Sequence, residues 1–135
     1  MQIPHTWKVG TDLHPHVHWV PVSNGTAGQK VSWGLEYSFA RIGDSFGNTT
    51  IIYGNTSVPN DSSLVADKHY LTNLPEIATE DDITYAVSSM LVGRLFRNTA
   101  GAGESEDDYG AAVRLFEFDI HIEIDTVGSR EEYTK

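Results

Sequence analysis

Two segments near opposite ends of the chain alternate apolar and polar residues with a period of two. From Leu115 to Asp125 the chain reads LFEFDIHIEID, with Phe116, Phe118, Ile120, Ile122 and Ile124 on one side and Glu117, Asp119, His121, Glu123 and Asp125 on the other. Successive side chains on a strand point to opposite faces, so this spacing predicts a long strand with its apolar set in a core and an ionisable ladder outside. The run Leu13-His14-Pro15-His16-Val17-His18-Trp19 behaves alike, with three histidines spaced by two.

Between these ends the same reading predicts further strands. The first covers roughly 12–20 and is closed by Pro21 and the turn-forming Ser23-Asn24-Gly25. A second runs from Val31 to about Ile42, with Trp33, Leu35, Tyr37 and Phe39 on its core face, and Gly43-Asp44-Ser45 ends it. Thr49 to Gly54 is rich in β-formers. Residues 55–67 are polar and read as a loop, and His69 to Leu74 as a short strand. Tyr85 to Arg97 is expected as a strand, although Ala86, Met90 and Leu91 would also suit a helix. Residues 101–110 read as a solvated, acid-rich hairpin tip, and the last strand spans 112–125.

Many strands, frequent turn signals and no convincing amphipathic helix predict an all-β chain. The expected form is an antiparallel, jelly-roll-like β-sandwich of about eight strands, with an immunoglobulin-like sandwich as the nearest competitor. The length of 135 residues suits a single domain with a real core. Residues 1–11 are expected as an N-terminal arm and 126–135 as a C-terminal tail, both free to contact neighbours.

Composition narrows the function. A formal net charge of −10 with nine scattered basic residues excludes a phosphate-binding surface, so no nucleic-acid partner is expected. With no cysteine there is neither a disulfide framework nor a thiolate zinc site nor a cysteine nucleophile. No apolar run approaches the length needed to span a bilayer, and the first residues lack the basic and apolar regions of a signal peptide. Synthesis in the cytoplasm, without membrane association, is the expectation.

His14, His16 and His18 form the sharpest local constellation. On a strand they share one face at about 7 Å intervals. If the last strand lies beside the first, Asp119, His121 and Glu123 complete the group. It would then serve either as a hydrogen-bonded or intersubunit network or as a metal site. No flanking motif specific to a metal accompanies these residues, so the network at an interface is the expectation, with no metal ligand and no cofactor assigned. The acidic run Glu104 to Asp108 does not match the spaced ligands of a helix-loop-helix calcium site. No Gly-x-Ser-x-Gly context surrounds any serine, so no catalytic residue is assigned and no enzyme is expected. Trp7, in the arm, is read as a contact for a neighbouring subunit, as are Arg130 and Tyr133 in the tail.

The segment Thr11 to Trp19 (TDLHPHVHW) resembles a His-x-His-Trp strand of small structural proteins of tailed bacteriophages. Their N-terminal arm and their Phe/Asp/Ile/His strand with a Gly-Ser-Arg tail are similar to Leu115–Asp125 and Gly128–Tyr133 here, and Ser89–Phe96 adds to the likeness. The middle, 43–82, offers no match. The resemblance implies a virion protein assembled in the host cytoplasm, most simply a decoration or cement protein on the capsid exterior. Its partners would be the major capsid protein and copies of itself, a trimer being favoured. A tail fibre or spike module, with Tyr53, Tyr70 or Tyr109 contacting the host, is the rival. A cupin-like metal-dependent enzyme stands further off.

Overall fold

The computed structural model describes residues 1–56, 58, 62–77, 79, 86–101 and 106–128. It is all-β, with no helix among the described residues. Six strands are present: β1 (His14–Pro21), β2 (Val31–Ala40), β3 (Thr50–Thr56), β4 (Tyr70–Asn73), β5 (Met90–Arg97) and β6 (Val113–His121). They form two antiparallel three-stranded sheets, ordered β4-β1-β6 and β3-β2-β5. The expected count of about eight is therefore reduced to six among the described residues, and no closed barrel forms. Met90 to Arg97 is a strand and not a helix, because its alternate residues Leu91 and Leu95 pack inward beside β2.

The two sheets face each other across one core. β1 contributes Val17 and Trp19, β2 contributes Val31, Trp33, Leu35, Tyr37 and Phe39, and Leu13, Leu64 and Ile77 fill in from flanking segments. The predicted core face of β2 is thus observed in full. The last strand follows its pattern only in part. Phe118, Ile120 and Ile122 pack against the core, whereas Phe116 is 64% exposed and Ile124 66%. The cause for Phe116 is a β-bulge. His18 pairs with Glu117 but Trp19 pairs with Leu115, so Phe116 is the unpaired extra residue and the in–out alternation resets there. Ile124 lies beyond the end of β6, in an isolated bridge to Trp7.

The N-terminal arm belongs to the fold rather than to a neighbour. Its chain-terminal ammonium donates to the Leu91 carbonyl at 2.7 Å, and Leu91 N–H returns a bond to Met1 O. Ile3 exchanges backbone bonds with Ser88 and Ser89, and Lys8 N–H donates to Glu123 O. Trp7 is only 1% exposed. The expected intersubunit role of Trp7 is corrected on that ground, since an indole already enclosed by its own chain has no surface to offer a partner.

At the opposite edge β3 and β4 meet, and Gly54 makes this possible. A Cβ at Gly54 would come within 2.3 Å of the Asn73 carbonyl oxygen, so only glycine lets the two backbones approach. The outer face of β3-β2-β5 carries Glu36, which receives Arg94 Nη2 at 2.9 Å and the Thr49 hydroxyl at 2.9 Å. The Thr49 bond first, and the Arg94 bond second, hold its carboxyl below the ordinary value of 4.5. A lowered folded-state pKa contributes stability above the unfolded value that disappears as pH falls through the folded one. Glu36→Gln should therefore lower stability near neutrality, where the ionised carboxylate contributes, and flatten the profile below pH 4.5, where the two proteins converge, as measured by urea melts.

Candidate functional site

β1 is the central strand of its sheet, and its outward residues are the three histidines. Antiparallel register sets His16 opposite Asp119 on β6 and Asn73 on β4, and sets His14 opposite His121. Directly opposed residues share a face. The sheet therefore brings His14, His16, His18, Asp119 and His121 together, as their spacing predicts once the end strands pair. His69 joins from the turn before β4, so five of the six histidines lie on this one face.

Asp119 sits at the middle of the group. Its Oδ1 is 2.6 Å from His16 Nε2 and 3.9 Å from His18 Nε2, and its Oδ2 is 3.8 Å from His121 Nε2. The His16 ring stands edge-on to His121, with centroids 4.3 Å apart, and edge-on to His18 at 5.1 Å. Behind them His18 Nδ1 and His69 Nε2 share a hydrogen bond of 2.8 Å, one ring donating and the other accepting. Nδ1 of His14 lies 3.2 Å from Glu76 Oε1. A cavity of about 490 Å³ opens over these groups.

One detail separates this cluster from an ordinary ion-pair network. Although His16 Nε2 is close to Asp119 Oδ1, that oxygen is buried and accepts no hydrogen bond. Proximity without donor alignment is not a hydrogen bond. His16, Asp119 and His121 each present one nitrogen or oxygen atom, all within 4.8 Å of one another.

The remaining expected contacts divide. Glu123 is drawn away from the cluster and pairs with Lys8 at 3.0 Å. Arg130 and Tyr133 lie outside the described residues. Tyr109 is buried, its hydroxyl donating to Ser23 O at 2.7 Å, so it is corrected from an exposed aromatic to a packed one. Tyr70 stacks on Trp19 and accepts from Val65 N–H. The acid-rich segment expected as a solvated hairpin tip is corrected to a crossover, because it joins β5 to β6 in the other sheet, and it is anchored where it is described. Asp107 is buried against Arg97, and Asp108 accepts from Lys30 N–H at 2.6 Å.

Two features escaped the sequence reading. Glu76 and His69 reach the cluster from turns, where no periodicity marks them. His5 Nε2 and Ser88 Oγ lie 2.7 Å apart, with Ser88 at φ 64°. His5 Nδ1 is buried without a partner, so no acid orients this ring as a general base requires. No protein-family model, curated protein or solved structure matches the chain.

Proposed function

We propose that the chain is a structural virion protein of a tailed bacteriophage, a jelly-roll-like sandwich that decorates the capsid exterior and stabilises the head. The observation that carries this reading is the outer face of the β3-β2-β5 sheet. There Ile51, Val92 and Met90 are each more than 40% exposed, and Tyr53 and Phe96 adjoin them over Gly34. An apolar band broken by the Glu36–Arg94 pair suits docking on a protein shell. The net charge of −10 suits a particle surface and opposes contact with nucleic acid. Self-association, a trimer being favoured, would present this band in symmetric copies.

The test is quantitative mass spectrometry of purified particles from the source of the chain. On the order of hundreds of copies per particle are expected, as shell symmetry requires. A few copies or tens would move the chain to the tail, the rival reading, and absence from particles would overturn both. Val92→Glu with Ile51→Glu should lower occupancy on the shell without unfolding the chain, because both side chains already face water.

A further inference from the structure

We propose that His16, Asp119 and His121 bind a divalent transition-metal ion of the zinc class. The donor set is two imidazole nitrogens and one carboxylate oxygen. Such a set suits zinc and its first-row neighbours, whereas calcium and magnesium take oxygen ligands. Tetrahedral bonds of about 2.0–2.1 Å put ligand atoms roughly 3.3 Å apart. His16 Nε2 lies 2.6 Å from Asp119 Oδ1 and His121 Nε2 lies 3.8 Å from Oδ2, and one donor atom from each of the three residues falls within 4.8 Å of the others. Side-chain rotations that move the donor atoms by roughly 0.5–1.5 Å would bring them to the tetrahedral spacing around an ion.

Asp119 Oδ1 supplies the second, independent observation. A buried carboxylate oxygen with no hydrogen bond is costly, and a cation between it and the imidazoles removes that cost. The competing account is a charged His16 donating to Asp119. It requires the ring N–H to point along the 2.6 Å contact, and the contact has no such alignment. His16 is more than nine-tenths buried, so its ring is held in place without the ion.

Register makes the site rigid. His16 and Asp119 are cross-strand partners on β1 and β6, and His121 follows Asp119 by two residues on the same face. His18, tethered through Nδ1 to His69, stands beside Asp119 as a supporting imidazole. The fourth coordination position opens into the 490 Å³ cavity, where water completes the shell. The ion would tie β6, an edge strand, to the central strand of its sheet. This inference stands apart from the virion reading, since it needs only the isolated chain.

The experiment is thermal melting and calorimetric titration of the full chain with zinc chloride. The wild type should bind one ion per chain, and its Tm should rise by roughly 10 °C at about a hundredfold excess over Kd, reversibly with chelator. Magnesium should produce no rise. His121→Ala removes a ligand whose side chain is 72% exposed, so it should fold normally and lose the zinc response. Asp119→Asn should lose it as well, and His14→Ala, which removes the ring beside Glu76, should keep it. Failure of the wild type to bind zinc, or an undiminished response in both His121→Ala and Asp119→Asn, would overturn the assignment. The same variants give cobalt a visible absorption band in the wild type alone, a readout that does not depend on stability.

Discussion

Asp107→Ala is expected to lower stability by about 3–5 kcal/mol, because it strands a buried guanidinium. The Asp107 side chain is 2% exposed and that of Arg97 17%. The two form a fork, Arg97 Nε donating to Oδ2 at 2.8 Å and Nη2 to Oδ1 at 2.6 Å. Oδ2 also accepts Ser32 N–H at 3.0 Å, and the guanidinium donates to the Ala111 and Tyr109 carbonyls. Arg97 closes β5, and Asp107 lies on the connection that crosses to β6 in the other sheet, so the pair pins that crossover. For a domain of this size the loss corresponds to a Tm fall on the order of 10–20 °C. Arg97→Met combined with Asp107→Ala should cost less than the two single changes summed, since neither charge is then left alone. A loss below about 1 kcal/mol in Asp107→Ala would show that the pair acts as a hydrated surface bridge.

Trp19→Ala should cost a similar amount, about 3–5 kcal/mol, for a different reason. Trp19 is fully buried, stacks on Tyr70 with centroids 5.3 Å apart and tilts against Trp33 at 6.5 Å. Its indole N–H is shared by the Thr56 hydroxyl on β3 at 3.2 Å and the Thr72 hydroxyl on β4 at 3.0 Å. One side chain thereby joins both sheets at the edge where Gly54 lets them touch. Trp19→Phe retains most of the apolar volume but removes the donor from two buried hydroxyls, so about 1–3 kcal/mol should still be lost. Urea melts of the three proteins separate the packing and hydrogen-bonding parts. Equal stabilities for the Phe variant and the wild type would show that the threonine pair satisfies itself.

What the sequence disclosed depended on periodicity. The alternation in β1, β2 and β6 was enough to place Trp33 to Phe39 in the core and to put His14, His16 and His18 on one face. Pairing of the end strands then delivered Asp119 and His121 to those rings. Features without a period stayed hidden. The bulge at Phe116 arises from how β6 matches β1, so alternation alone counted that residue as core. The arm is held by isolated backbone exchanges with Ser88 to Leu91 and with Glu123, which leave no mark in its own composition. Glu123 lies past the end of β6, where register no longer governs it, and Lys8 captures it. Asp107 is one acid in an acidic run, and only the arrival of Arg97 distinguishes it from its neighbours. His69 and Glu76 come from turns flanking β4, and their proximity to β1 is a property of the tertiary fold.

The two sheets present unlike outer faces. One carries imidazoles and a carboxylate around a cavity, the other an apolar band. The metal assignment is tested most directly by crystals grown with zinc and measured at its absorption edge. The account predicts one anomalous peak about 2.0–2.2 Å from Nε2 of His16, Nε2 of His121 and a carboxylate oxygen of Asp119. No peak at that position, with a His16 N–H aligned on Asp119 Oδ1 in its place, would contradict it.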